Sequence, residues 1–295
     1  GFARDLKPTA EQAINAGVDM DMMSYGFIEY AEALVKEGKV SEKEIDRAVR
    51  NILKLKFELG LFENPYVDET LSAKVDYAPE HLEAAKQTAI ESAILLKNDD
   101  NVLPLDKAKT ILVTGPMADA PHDQLGTWTF DGDPAHTVTP LKAIRELCGN
   151  DVQVIYEPGL TFTREFDKGG IAKAVKAAKK ADVILAFMGE EAIMSGEAHS
   201  LVDITLKGDQ RKMIEALHAT GKPVVLNIMA GRPLDLSRES KIASSILMAW
   251  QGGTMTADAL YDILYGAENP SGRLTTSFPR NVGQIPVYHY MLNTG

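Results

Sequence analysis

The sequence predicts an α/β protein built around a mostly parallel, doubly wound sheet. From about residue 100 onward, short apolar runs alternate with segments whose apolar residues recur at helical spacing. Runs that lack a polar face are typical of parallel strands covered on both sides. Such an alternation of strands and helices predicts helices on both faces of the sheet. Residues 1–60 are patterned differently, mainly as helices, and therefore belong to another part of the fold.

Composition limits the class of protein. The chain has 295 residues, of which 45% are hydrophobic and 25% charged, which is ordinary for a globular protein of one large or two average domains. The formal net charge of −11 disfavours a nucleic-acid partner, and no apolar run has the length of a membrane span. The single cysteine, Cys148, excludes an intrachain disulfide, and the six histidines show no metal-ligand spacing. We therefore expect no metal site.

The first segment predicts one strand and two helices. Residues 18–23 are short and apolar enough for a strand, and residues 27–35 have helical spacing. Ser41 and Glu44 form a capping-box pattern that begins a second helix, and Gly60 is placed to end it. One strand and two helices cannot enclose a core, so we expect this segment to be the end of a larger unit.

The middle of the chain predicts a linker and then the sheet. Residues 64–77 are polar and interrupted by proline, and Pro79 is placed to begin a helix that runs to about Leu96. The predicted strands are residues 110–115, 152–156, 183–188, 223–228 and 244–248. The predicted helices between them include residues 171–180, 207–220 and 255–265.

An acidic loop, residues 189–200, follows the third of these strands. It contains Glu190, Glu191 and Glu197 among glycines, and open α/β sheets bind their ligands at this carboxyl end of the strands. A neighbouring carboxylate can tune the pKa of an acid in such a loop, although a merely solvated acidic loop is the alternative. His199 has two interpretations: it hydrogen-bonds a substrate hydroxyl, or it balances the charge of Glu197.

A second loop, residues 121–136, is expected at the same edge of the sheet because it follows the first strand. It contains Trp128, whose apolar face either stacks on a sugar ring or locks the loop itself. The other tryptophan, Trp250, ends a buried strand, so we expect it to pack in the core.

Several runs, distributed in order over almost the whole chain, resemble glycoside hydrolase family 3, in particular its bacterial periplasmic β-glucosidase group. The matching runs are residues 16–20, 55–62, 95–98, 103–105, 231–234, 269–274 and 283–286. The resemblance implies a (β/α)8-type barrel followed by a six-stranded α/β sandwich. Residues 1–62 would then be the end of the barrel, 63–95 a linker and connecting helix, and 96–295 the sandwich domain.

The resemblance also implies roles for individual residues. Glu197 matches the general acid/base of the family, with Glu191 as the alternative and Glu190 as an anchor of the loop. Trp128 resembles the tryptophan that stacks on the leaving-group sugar, and Met22 resembles a wall of the glycone pocket. The family's nucleophile is an aspartate in a Ser-Asp-Trp or Ser-Asp-His motif, which does not occur in this sequence. We expect it upstream, and we expect residues 1–295 alone to be inactive.

The implied function is that of a retaining, exo-acting β-glucosidase that removes terminal non-reducing β-D-glucosyl residues. Such chemistry needs two carboxyl groups about 5–5.5 Å apart and requires no cofactor. A β-xylosidase of the same family and a non-catalytic carbohydrate-binding module are the alternatives. The expected partners are a β-linked oligosaccharide or glycoside and the N-terminal barrel portion of the same enzyme, with neither nucleic acid nor membrane. Homodimer formation is left open, and the implied location is the periplasm or outside the cell.

Overall fold

The computed structural model describes residues 3–105, 108–288 and 290. The chain divides into two compact units, Gly1–Val75 and Asp76–Gly295. The boundary between them falls inside the predicted connecting segment, residues 63–95. Each unit is described below by itself.

The first unit is helical. Its helices are α1 (Leu6–Asn15), α2 (Gly26–Lys36), α3 (Glu42–Glu58) and α4 (Ser72–Val75). A small core contains Ala10 and Ile14, one helical turn apart on α1, together with Leu34 and Val40. Gly38 turns the chain after α2 with a φ of 69°, and the amide of Lys39 then donates to the carbonyl of Leu34 at 2.9 Å.

The strand predicted for residues 18–23 is wrong. This segment joins α1 to α2 with irregular backbone, and no described strand pairs with it. A strand needs a neighbour for its amide and carbonyl groups, and side chains hold this segment instead. The Asp19 carboxylate accepts from Arg47 at 2.5 Å and from Asn51 at 3.0 Å.

The capping box predicted for α3 is also wrong in its bonds. Ser41 does occupy the N-cap position, with extended backbone, but its side chain makes no capping hydrogen bond. The Glu44 carboxylate accepts instead from Arg47 Nε at 2.9 Å, within the same helix. A charged partner within reach outcompetes the neutral backbone amide that a capping box would use.

The second unit is the predicted doubly wound sheet with its helices. The strands are β1 (Ile94–Asn98), β2 (Thr110–Thr114), β3 (Gln153–Tyr156), β4 (Val183–Gly189), β5 (Val224–Met229) and β6 (Ser245–Met248). The helices are α5 (Pro79–Ser92), α6 (Pro121–Leu125), α7 (Pro140–Leu147), α8 (Gly170–Ala178), α9 (Gln210–His218), α10 (Glu239–Ile242) and α11 (Thr256–Tyr265). The strand order is β1-β6-β5-β4-β2-β3, and every pair is parallel except β1 with β6. The predicted strands β2 to β6, and the helices α8, α9 and α11, are confirmed to within a few residues.

One boundary in this unit is wrong in the prediction. Pro79 does begin α5, but the helix ends at Ser92 rather than near Leu96. The next residues form β1, an edge strand that pairs antiparallel with β6, so that Ile94 lies opposite Met248. A short apolar run has no periodicity of its own to separate helix from strand, and here the free edge of β6 decides the outcome.

Alternating side chains of the sheet build two cores. Along β4, Ile184 and Met188 face a core that includes residues of α8 and α9, whereas Leu185 and Phe187 face a core that includes residues of α7 and α11. All seven residues of β4 are buried, as a central parallel strand requires. The mostly parallel, doubly wound sheet is therefore confirmed.

Two further sequence expectations concern reactive groups and membranes. Cys148 lies half-buried at the end of α7, and burial raises the pKa of its thiol, which disfavours the thiolate. Within the described ranges, no three His, Cys, Asp or Glu side chains gather in a way that suits a metal ion. The helices of the described chain all fall short of the length and apolar character that crossing a bilayer requires.

Phe187 at the centre of the sheet provides a test of this packing. It is completely buried on β4, so Phe187→Ala leaves a cavity and should lower the free energy of unfolding by about 3–5 kcal/mol. Phe166→Ala is the matched control, because 73% of Phe166 is exposed and its removal should change stability by less than about 0.5 kcal/mol. Urea titrations of both variants make the comparison, and equal stability losses would contradict the placement of Phe187.

Candidate active site at the carboxyl edge of the sheet

The acidic loop (residues 189–200) and the tryptophan loop (residues 121–136) lie together at one edge of the sheet. They follow β4 and β2, which are parallel neighbours and so end on the same side. Thr127 Oγ1 donates to the carbonyl of Ser195 at 2.7 Å and also to that of Ala192. The Asp123 carboxylate accepts from the amide of Ala192 at 2.9 Å. The prediction that both loops share the carboxyl edge is confirmed.

Gly196 allows the two loops to come this close. Its φ is 113°, and a Cβ at this position would overlap Thr127 Cγ2. Both the left-handed backbone and the missing side chain are therefore needed at this point. The residue that follows Gly196 is Glu197, so the close approach fixes the backbone directly beside the candidate acid.

Glu190 is the buried carboxylate of the acidic loop. Its side chain is fully buried, and Oε2 accepts from Arg232 Nε at 3.0 Å, while Oε1 has no partner among the described residues. Burial raises the pKa of this carboxyl group even though Arg232 opposes the shift. Its amide donates to the carbonyl of Met229 at 2.9 Å, which continues the pairing of β4 with β5. Glu190 therefore faces the interior of the protein.

Glu191 is held in an ion pair at the surface of the unit. Arg164 donates to both of its carboxylate oxygens, at 2.8 and 3.1 Å, and Thr163 Oγ1 donates at 2.7 Å. The hydrogen bonds from Arg164 are the main reason that the pKa of Glu191 is lowered. The arrangement stabilises the ionised carboxylate, which is the wrong form for a proton donor.

Glu197 stands apart from the other two carboxyl groups. It is exposed on a turn between Gly196 and Ala198, both of which have positive φ. Its carboxylate makes no hydrogen bond or ion pair with any side chain in the described part of the chain. Of the three carboxyl groups in the loop, it is the one left available to a ligand.

His199 lies two residues beyond Glu197 and is also exposed. Its ring Nδ1 is 3.1 Å from the carbonyl oxygen of Ser195, and its amide donates to the carbonyl of Gly196 at 3.2 Å. Among the described residues no ion pair joins His199 to Glu197. His199 therefore lies on the same turn as Glu197.

The two tryptophans have different environments. Trp128 is 59% exposed, and its ring meets Phe130 edge to face at a centroid distance of 5.9 Å. Trp250 instead packs against the core, and its Nε1 donates to the carbonyl of Ser92 at 3.2 Å. The core role of Trp250 is confirmed, and Trp128 presents an aromatic face to solvent beside the acidic loop.

Met22 lies in the first unit, in the irregular segment between α1 and α2. Its side chain is 83% exposed, and it lines a shallow cavity of that unit together with Leu6 and Phe27. The structure thus gathers Glu191, Glu197, His199 and the tryptophan loop at one sheet edge, whereas Met22 belongs to the other unit.

Two residues that hold the acidic loop are not among the site residues predicted from the sequence. Arg232, which lies in the family-like run of residues 231–234, contacts the acidic loop from the loop after β5. Gln210, fully buried at the start of α9, accepts from the amide of Gly189 and donates to the carbonyls of Gly189 and Thr163, each at 2.9 Å. A Gly-Arg-Pro run after a strand is a usable signal for Arg232, but nothing in the pattern of α9 distinguishes Gln210.

The fold and the loops define the class of protein: a six-stranded α/β sandwich with an acidic loop and an aromatic loop at the carboxyl edge. The profile of the glycosyl hydrolase family 3 C-terminal domain matches residues 93–294. The chain belongs to glycosyl hydrolase family 3.

Individual relatives agree with this assignment. The chain is 41% identical to the periplasmic beta-glucosidase of Salmonella typhimurium, over 100% of this chain and 42% of the relative. It is 36% identical to a beta-xylosidase of Formosa agariphila, over 97% of this chain and 41% of the relative. The crystal structure of a beta-glucosidase from Listeria innocua superposes with a TM-score of 0.86 at 36% identity, over 100% of this chain and 41% of that one. The chain therefore spans about two-fifths of the length of these relatives.

The ion pair of Glu191 predicts a pH-dependent contribution to stability. Because its folded-state pKa is lowered, its contribution is present above the unfolded pKa and is lost as the pH falls through the folded pKa. Glu191→Gln should therefore lower the free energy of unfolding by about 1 kcal/mol at pH 7, a value discounted because Arg164 is partly exposed. The difference should shrink below the ordinary carboxyl pKa of about 4.3.

Thermal unfolding between pH 3 and pH 7 measures this effect. Glu268→Gln is the control, because Glu268 is exposed and has no side-chain partner among the described residues, so its removal should matter little at any pH. A Glu191→Gln penalty that stays constant down to pH 3 would show that the ion pair does not stabilise the fold.

Proposed function

We propose that this chain supplies the acid/base half of a retaining β-glucosidase active site, with Glu197 as the general acid/base. One observation carries the proposal. The acidic loop holds three carboxyl groups, of which Glu190 is buried against Arg232 and Glu191 is paired with Arg164. Glu197 alone of these three is exposed and unpaired within the described chain. A group that must give a proton to a substrate and later take one from water needs that freedom.

The proposed reaction has two steps. A carboxylate nucleophile attacks the anomeric carbon while Glu197 donates its proton to the glycosidic oxygen, so that the bond to the leaving group breaks and a glycosyl-enzyme ester forms. In the second step, the Glu197 carboxylate takes a proton from water, the water oxygen attacks the anomeric carbon, and the nucleophile leaves. Glu197 is then protonated again, ready for the next cycle.

Glu191 is the weaker alternative for this role. Its three hydrogen bonds from Arg164 and Thr163 would have to break or weaken before it could hold a proton at neutral pH. Those partners favour the ionised form of Glu191. Glu191 is better suited to holding the acidic loop in place.

Trp128 and His199 are proposed to contact the substrate. The exposed ring of Trp128 offers a flat apolar face on which the leaving-group sugar can stack, and Phe130 packs against that ring in a T-shaped arrangement. His199 is exposed on the same turn as Glu197, where a free ring nitrogen can hydrogen-bond a sugar hydroxyl. Met22 is proposed as a wall of the glycone pocket from its resemblance alone.

The other catalytic carboxylate is proposed to come from an N-terminal barrel portion of the same enzyme. The relatives are more than twice as long as the region that this chain matches. Apolar side chains along α3 also remain exposed, namely Val49 at 50%, Leu53 at 40% and Phe57 at 62%. Such a stripe fits burial against further protein. A periplasmic or secreted location is proposed from the name of the Salmonella relative.

A β-xylosidase is the second candidate, because one of the relatives carries that name at 36% identity. The two sugars differ only in the hydroxymethyl group of glucose, so the pocket around the glycone decides between them. Comparing the hydrolysis of nitrophenyl β-glucoside and β-xyloside by the full-length enzyme separates them.

Glu197→Ala in the full-length enzyme tests the acid/base role. Loss of the proton donor should reduce kcat/KM on cellobiose by at least about 10²-fold, because a sugar leaving group needs protonation. Formation of the glycosyl-enzyme from a dinitrophenyl glucoside should suffer much less, since that leaving group departs as a stable anion. Azide should then accelerate turnover and yield glucosyl azide, because a small anion attacks the intermediate without a general base.

Glu191→Ala is the matched control and should lack both the substrate dependence and the azide effect. If Glu191→Ala is the variant that azide rescues, the acid/base role moves to Glu191. If the wild-type full-length protein binds sugars without cleaving any of these substrates, it is a carbohydrate-binding module.

Trp128→Ala tests the sugar platform. Loss of a stacking contact worth about 1 kcal/mol should raise KM for cellobiose about fivefold, while the melting temperature stays nearly unchanged because the ring is exposed. Trp250→Ala is the control, and it should lower the melting temperature without changing KM. A Trp128→Ala variant that loses stability but keeps its KM would assign Trp128 to packing.

A further inference from the structure

We infer that Arg232 is the positioning residue for Glu197, because its guanidinium group hydrogen-bonds to the start, the middle and the end of the acidic loop. This inference rests on the proposed role of Glu197. Arg232 follows β5 and lies two positions after Ala230, the last buried residue before it. Its side chain is 19% exposed. Arg232 belongs to the loop after β5, whereas the acidic loop that it contacts follows β4.

The contacts of Arg232 span the loop. Its Nε donates to the Glu190 carboxylate at 3.0 Å, at the point where the loop leaves β4. Its Nη2 donates to the carbonyl of Met194 and, at 3.2 Å, to the carbonyl of His199. These two carbonyls bracket Glu197, three residues before it and two after it. The turn that carries the proposed acid is therefore pinned on both sides by the same group.

The backbone of this turn needs such a restraint. Ala198 has a φ of 63°, which a residue with a Cβ adopts only when its surroundings impose it. The hydroxyl of Thr127 holds the carbonyl of Ser195 at 2.7 Å, but no described side chain other than Arg232 donates to the carbonyl of His199. Without Arg232 the far side of the turn is free to relax, and Glu197 moves with it.

The neighbours of Arg232 in sequence fit this role. A Cβ on Gly231 would overlap the Ser195 side chain, so glycine lets the two loops touch just before the arginine. Pro233 restricts Arg232 to extended backbone, which limits where its side chain can start. Glu190, fully buried, compensates the positive charge of Arg232. The planar guanidinium group of arginine carries several donors that point in different directions, so it can bond to all three acceptors. The single ammonium group of a lysine cannot bond to all three equally well.

A second ion pair provides a matched control for a purely structural role. Arg211 Nε donates to the Glu239 carboxylate at 2.6 Å, and Nη2 donates to the carbonyl of Asp235 at 3.0 Å. The side-chain exposures are 21% and 1%, against 19% and 0% for Arg232 and Glu190. The two pairs are thus alike in burial and bonding, but in the described chain no hydrogen bond or ion pair joins Arg211 or Glu239 to the acidic loop.

The experiment compares Arg232→Met, Arg232→Lys and Arg211→Met in the full-length enzyme. Displacement of a catalytic group by about 1 Å costs about 10²-fold in rate, so Arg232→Met should reduce kcat on cellobiose by that order and affect a dinitrophenyl glucoside much less. Arg232→Lys keeps the charge but not the fork, and it should fold normally while retaining the same selective loss. Arg211→Met should lower the melting temperature similarly and reduce both rates equally, if at all.

Hydrogen exchange gives a readout that does not depend on catalysis. The amides of residues 194–199 should exchange faster in both Arg232 variants than in the wild type, and should be unchanged in Arg211→Met. Unchanged exchange in the Arg232 variants, or equal rate losses on both substrates, would overturn the positioning role. If exchange rises as expected but Glu197→Ala shows no dependence on the leaving group, Arg232 still positions the loop and the proposed role of Glu197 is the part that fails.

Discussion

Parallel pairing of β2, β4 and β5 is the constraint on which the arrangement of the candidate site depends. Because these strands run in the same direction, the segments that follow all three emerge at one edge of the sheet. The tryptophan loop, the acidic loop and Arg232 come from these three places, far apart in sequence. Side chains then join them at the edge: Thr127 and Asp123 from one side, Arg232 from the other.

The three glutamates of the acidic loop show how environment divides one residue type among different tasks. Burial raises the pKa of Glu190, and the guanidinium of Arg164 lowers that of Glu191. Both groups are committed to holding the loop. Glu197 remains unpaired because the two arginines that contact this loop, Arg164 and Arg232, already pair with Glu191 and Glu190.

The sequence predicted the parts of this structure that depend on local pattern. Strand β4 was recognisable because seven buried residues in a row leave a plain signature, and the shared edge followed from chain direction. Strand β1 was missed because its pairing with β6 bridges about 150 residues, which no local pattern records. The roles of Gln210 and Arg232 were missed for the same reason. Which glutamate is free and which is paired depends on contacts made only in the folded chain.

Because of the close approach at Gly196, the acidic loop and the tryptophan loop move together as one rigid unit. Thr127 is joined to the carbonyls on one side of Glu197 and is the residue next to Trp128. Where these residues act as proposed, the group that protonates the departing oxygen and the surface that receives the departing sugar keep a fixed separation. A family member could not readily widen its choice of leaving group by reshaping the aromatic loop, since the same change would also move the acid.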